Sequence, residues 1–165
     1  MSSSTPEALT AAVLTISDSS ARGARADLSG PAVARVLRKR HFSVVAIETV
    51  PDERPAIQKM LVRLAGKARL VVTTGGTGIA ERDVTPEATQ AVCNRLLEGV
   101  AERMRAEGAR KTPLAALSRG VCGIRGKSMI LNTPGSPRGA VESLEAVIDL
   151  LPHALQLLSG DTEHA

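Results

Sequence analysis

The chain has 165 residues, 43% of them hydrophobic and 23% charged, with a formal charge of +4. That is the length of one domain able to bury roughly two-thirds of its unfolded surface, and the balance is that of a globular chain. With no Trp, no Tyr and a single Phe, Phe42, the aromatic platforms of single-strand nucleic-acid binders are excluded, and no apolar run reaches the ~18 residues of a membrane span.

Neither nucleic acid nor membrane is an expected partner, although the charge favours anions in a general way. Residues 1–10, "MSSSTPEALT", lack the basic start and apolar stretch of a signal peptide and read as a flexible polar tail on a cytoplasmic protein. One domain is expected over 11–160, with a loose tail over 161–165. Cys93 and Cys122 stand far apart in sequence with no Cys-x-x-Cys spacing, so reduced, packed thiols are expected and zinc is not.

The first strand falls at 12–16, "AVLTI", followed by a polar loop, "SDSSARGARADLSGP". Ser29 reads as the cap of a helix with Pro31 in its first turn and Val33, Val36 and Leu37 along one face. The basic run at its end, 35–41, fits the negative pole of the helix dipole or a phosphate patch. A β-branched strand at 43–50 precedes a helix marked by Ile57, Met60, Leu61 and Leu64. A third strand at 70–74 runs into "GGTGIAERDVTP". Thr85 reads as the cap of the next helix, which opens with Pro86 and continues to about Leu97. Alternating strands and helices predict an α/β fold: a mostly parallel central sheet flanked by helices in three layers, with ligand loops at the strands' carboxyl ends.

The second half is less regular. A helix is expected around 100–107, extended runs on either side of "RGK", and a strand at 128–132. Then an apolar stripe through Val141, Leu144, Ile148, Leu151, Leu155 and Leu158 follows, broken or kinked near Pro152. That stripe reads as core or subunit contact.

The glycine loop matches neither common phosphate motif. A P-loop needs Lys-Ser or Lys-Thr after its last glycine, where Ile79 and Ala80 stand, and a dinucleotide fingerprint starting at Gly76 needs glycine at Glu81. What remains is bare backbone, either a tight turn or a nest of N–H groups around an anion. Asp83 either supports the turn or, beside such a nest, is a natural Mg²⁺ ligand, and Asp52 on the neighbouring loop is either a second one or the cap of the helix near Arg54. "TPGSP", 133–137, offers Gly135 and Ser136 as another anion-holding turn or as a rigid connection. No Ser-His-Asp or Cys-His pairing is visible, which argues against a histidine base.

Together "TISDSSARGARADLSGP", "VPDE", "TTGGTGIAERDVTPEAT" and "LSRGVCGIRGKSMILNTPGSP" resemble the MogA/MoaB family of molybdenum-cofactor biosynthesis proteins, over about 11–160. They are also similar to the corresponding domains of plant and animal homologues, gephyrin among them. The resemblance implies a molybdopterin adenylyltransferase, which joins ATP and molybdopterin with release of pyrophosphate, uses Mg²⁺, and forms a homotrimer that passes product to a molybdate-inserting protein. Carried over by position, Asp52 and Asp83 are the catalytic and Mg²⁺-binding carboxylates. Gly75, Gly76, Thr77 and Gly78 form the nucleotide loop, and Ser17, Asp18, Gly135 and Ser136 contact pterin or phosphate. A non-catalytic molybdopterin-binding oligomer on the same fold is the rival expectation.

Overall fold

Three strands with unbroken apolar or threonine-rich sequence sit at the centre of the sheet, where both faces are covered and alternation has no use. In the computed structural model, which describes residues 8–160, these are β1 (Thr10–Ile16), β3 (Leu70–Thr74) and β6 (Ser128–Thr133). Every residue of β3 and β6 is buried. β2 (Ser43–Val50) lies at one edge and leaves Val45 and Ile47 exposed, while β5 (Cys122–Arg125) and β4 (Arg95–Leu96) complete the order β2-β1-β3-β6-β5-β4. The first four strands in that order run parallel, β5 runs antiparallel to β6, and β4, antiparallel to β5, returns to the common direction.

Side-chain alternation divides the core. Ala11, Val13, Leu70, Val72, Met129 and Leu131 face α2 (Ser29–Lys39), α5 (Glu98–Ala109), α6 (Pro137–Glu145) and α7 (Leu151–Leu158). Ala12, Leu14, Val71 and Ile130 face α3 (Arg54–Ala65) and α4 (Thr85–Val92) on the other side. The result is the three-layer α/β fold expected. α2 and α3 leave on opposite faces, so the chain direction switches between β1 and β3, where doubly wound sheets open a crevice.

Several boundaries differ from the sequence reading. Ser29 is inside α2 and caps nothing; the carboxylate of Asp27 accepts the Gly30 amide at 3.0 Å instead. Thr85 is likewise the first residue of α4, and its hydroxyl is spent on the glycine loop. α4 stops at Val92 because Asn94 and Leu97 turn their amides to the carbonyls of Ile124 and Cys122, extending the sheet edge as β4. The polar loop after β1 contains a short helix, α1 (Asp18–Ala21), capped by Ser17. Pro152, with no N–H to donate, sits in the first turn of α7 after a 3-10 turn at Ile148–Leu150. The stripe it interrupts is core: Leu144, Ile148, Leu151 and Leu155 are all buried. The tail expectations for 1–7 and 161–165 fall outside the described residues, while Thr10 already pairs with Ser43 in the sheet. Among the described residues, no helix is long and apolar enough to cross a membrane.

Candidate functional site

The carboxyl ends of the parallel strands stand side by side, with Ile16 opposite Val50, Thr15 opposite Thr74 and Thr74 opposite Thr133. Four loops therefore leave from one rim. Two clefts open there. One, of about 460 Å³, is lined by Ser17, Arg25, Asp27, Asp52 and Gly75 among others. The second, of about 650 Å³, has walls that include Thr77, Gly78, Lys111, Leu114, Leu117 and Pro134. Gly76, Asp83, Gly135 and Ser136 line both, so the clefts meet between the two glycine turns.

The glycines are required by contact as well as by conformation. Gly75 and Gly76 have φ of 104° and 69°, in the half of backbone space that side chains disfavour. A Cβ on Gly75 would collide with the Ile16 carbonyl oxygen, and one on Gly76 would collide with the Thr85 hydroxyl and stand 3.2 Å from Asp52 Oδ1. The Cα of Gly75 lies 3.4 Å from where a Cβ of Gly135 would stand. The two turns are thus packed backbone to backbone.

Hydrogen bonding across the loop is one-sided. The Gly75 carbonyl accepts the Thr85 hydroxyl at 3.0 Å and the Gly76 carbonyl accepts the Thr85 amide at 3.1 Å. The Thr77 carbonyl accepts the Arg119 amide and the Gly78 carbonyl accepts Arg119 Nε, both at 2.8 Å. The amides of residues 76, 77, 78 and 79 donate to no acceptor among the described residues. In a planar trans peptide each N–H points opposite to the preceding C=O. The four engaged carbonyls are those of the same four peptides, so all four amides point away from Thr85 and Arg119. Unpaired consecutive amides are what an anion nest needs.

The carboxylates frame this cradle. Asp83 Oδ2 accepts the Ala80 amide at 3.0 Å and would lie 2.8 Å from a Cβ on Gly78. Asp52 is not a helix cap; it and Asp18 exchange bonds, with the Asp18 amide donating to Asp52 Oδ2 at 3.0 Å and the Asp52 amide to Asp18 Oδ1 at 2.9 Å. Burial pushes the Asp52 carboxyl above its ordinary pKa, and the charges of Asp18 and Asp83 push it the same way, against the pull of the Asp18 amide. Asp18 itself is held low by hydrogen bonds from Arg82, at 2.8 and 3.1 Å, and by the Asp52 amide.

Asp52 Oδ1 and the second oxygen of Asp83 accept no hydrogen bond among the described residues. Two hard oxygen donors crowded by like charge suit Mg²⁺, which takes one or two carboxylates and completes its shell with water and phosphate. Among the described residues no larger group of His, Cys, Asp and Glu gathers as a metal site.

Ser17 and Ser136 occupy the rim as caps, Ser17 accepting from the Ser20 amide and Ser136 from the Gly139 amide at 3.0 Å. Both residues also line the smaller cleft. Asp18 is turned toward Arg82 and is absent from the lining of either cleft. Sequence reasoning missed Arg119 and Arg82, whose side-chain partners lie 32 to 64 residues away, Asp27, which joins the nearby Gly30 amide to the Thr15 hydroxyl 12 residues back, and the apolar wall of Leu114 and Leu117. For the two arginines and the two leucines the one visible signal was polarity or apolarity without a local partner.

Fold and rim together define an α/β protein with paired clefts at a sheet switch point, framed by unpaired amides of the kind that suit anions. The chain belongs to the family described as a probable molybdopterin binding domain, whose model matches residues 12–153. It is 44% identical over 153 residues to the molybdopterin adenylyltransferase of Helicobacter pylori, covering 90% of this chain and 87% of that one. It is 38% identical over 164 residues to the enzyme of the same name from Escherichia coli strain K12, covering 90% and 84%. The crystal structure of the molybdopterin biosynthesis enzyme MoaB from Thermus thermophilus superposes with a TM-score of 0.87 at 52% identity, over 92% of this chain and 97% of that one.

Proposed function

We propose that this protein is a molybdopterin adenylyltransferase of molybdenum cofactor biosynthesis. The observation that carries the reading is the glycine loop, with four carbonyls engaged, four amides free, and Asp52 and Asp83 at its edge where the two clefts meet. A substrate seated in each cleft brings its phosphates together at that junction. The identity of the substrates is supported by the relatives named molybdopterin adenylyltransferase.

In the reaction, a terminal phosphate oxygen of molybdopterin attacks the α-phosphorus of ATP. A new P–O bond forms, the α–β bridging P–O bond breaks, and its electron pair leaves with pyrophosphate. A phosphate monoester with a second pKa of about 6 is already largely ionised at neutral pH. No residue has to remove a proton. The chain's contribution is alignment of two polyanions and compensation of their charge. The loop amides hold the triphosphate, and Arg25, which lines the smaller cleft without an ion-pair partner among the described residues, adds positive charge. Asp83 and Asp52 are the residues that would hold Mg²⁺, which supplies neutralisation of phosphate charge when bound.

The assembly is proposed to be a homotrimer in the cytoplasm, delivering adenylyl-molybdopterin to a molybdate-inserting protein. Asp83→Asn tests the site. With saturating Mg-ATP it is expected to lower kcat by about a hundredfold, the scale of losing one electrostatic group from a transferring phosphate. Near wild-type turnover by a folded Asp83→Asn protein would remove Asp83 from that role.

A further inference from the structure

Arg119 stands outside both clefts, yet it makes four hydrogen bonds to one neighbourhood. Its amide donates to the Thr77 carbonyl at 2.8 Å, Nε to the Gly78 carbonyl at 2.8 Å, Nη2 to the Asp83 carbonyl at 2.7 Å and Nη1 to Glu87 Oε1. It belongs to the segment between the 3-10 turn Pro113–Leu117 and β5, more than 30 residues from everything it holds. A guanidinium presents several N–H groups in one plane. Here that plane spans from Gly78, the last glycine of the loop, to Asp83 beyond it, and ties both to Glu87 of α4.

The bonds fix direction as well as position. Each pinned carbonyl sets its planar peptide, so the N–H of Gly78, Ile79 and Val84 must face away from Arg119. Glu87 in turn fixes the guanidinium. Burial acts to raise the Glu87 pKa, but the Arg119 hydrogen bond and charge, with the backbone, leave it lower than usual, so the partner is an anion at neutral pH.

We propose that Arg119 is a positioning residue that holds the glycine loop with its amides open to a nucleotide triphosphate, without itself touching substrate. Resting on the ATP site proposed above, this adds the part that keeps that site preorganised. Free loop peptides would otherwise turn their amides toward their own carbonyls or toward water, and ATP binding would have to restore the order. Thr85 does the same for the first two peptides of the loop, and Arg119 completes the set.

The test compares wild type with Arg119→Ala and Arg119→Lys in the full chain. Calorimetry measures binding of Mg-ATP alone and of inorganic pyrophosphate alone, steady-state assays separate KM from kcat for each substrate, and thermal unfolding checks the fold. Both variants should bind ATP and pyrophosphate at least about tenfold more weakly, because binding must then restore the order of the released peptides, at a cost of about 1–2 kcal/mol for each backbone residue fixed. Lysine keeps the charge but cannot bridge two carbonyls with a fixed fork, so it should not restore affinity. KM for Mg-ATP should rise while KM for molybdopterin changes by less than about twofold. Added guanidinium ion should partly rescue Arg119→Ala and leave wild type unaffected.

Folded variants that bind ATP as wild type does would overturn the proposal, as would full recovery by lysine, which would make charge alone sufficient. If Arg119→Ala unfolds, Arg119→Lys carries the comparison with the same two readings. Failure of the reaction assignment is separable: wild type would then bind ATP without releasing pyrophosphate, and the affinity comparison would still judge Arg119.

Discussion

Gly76 concentrates the demands of the site in one residue. Its φ of 69° suits glycine, its missing Cβ makes room for the Thr85 hydroxyl, and Asp52 lies just beyond. Gly76→Ala is therefore expected to destabilise the fold by about 1–3 kcal/mol, the usual scale for a side chain forced into strained backbone at a crowded position. Urea unfolding measures it; an unchanged midpoint would show that the loop can adopt another path. The sequence exposed this much: bare backbone beside a carboxylate was legible, because glycine and aspartate announce their chemistry locally. Thr85 was misread as a cap, since a threonine before Pro-Glu fits an N-terminus while nothing nearby reveals a carbonyl ten residues back. Arg119 was illegible for the same reason at longer range.

At the level of elements, strand and helix patterns set the layers, and the misjudged end of α4 lies where tertiary pairing overrode local preference. The predicted extension of α4 to Leu97 has helical spacing, yet the open edge of β5 captures Asn94 and Leu97 instead. Gly123 in β5 leaves space where the Cys93 sulfur packs against bare backbone. Burial pushes the Cys93 thiol up to about 11 and the neighbouring Cys122 thiol up to about 12. A raised thiol pKa keeps both protonated through neutral pH, and at pH 8 a pKa of 11 leaves on the order of one thiolate per thousand. A disulfide reagent such as dithionitrobenzoate should react with both cysteines rapidly after unfolding and far more slowly in the native protein. Fast native labelling at pH 8 would contradict this packing.

At the scale of the whole molecule, the parallel order β2-β1-β3-β6 brings loops from distant parts of the sequence to one rim. Ser17, Asp52, Gly75 and Gly135 are separated by up to 118 residues, yet all four line the smaller cleft. That convergence follows from the alternation of strands and helices, which the sequence carries plainly, together with the rule that parallel strands bind at their carboxyl ends. The paired clefts and their shared wall required three dimensions, because the residues of the larger one come from the end of α5, a 3-10 turn and α6. The proposed homotrimer predicts about 52 kDa by sedimentation equilibrium, three times the 17.2 kDa chain; a concentration-independent monomer would contradict it. Everything proposed for this rim comes down to the joining of two phosphates. The direct measurement is to incubate the protein with molybdopterin and Mg-ATP and quantify pyrophosphate and adenylyl-molybdopterin. Equal amounts of both, dependent on each substrate and formed about a hundredfold more slowly by Asp83→Asn, are the predicted result, whereas molybdopterin bound by folded protein with neither product formed would contradict it and leave a non-catalytic carrier.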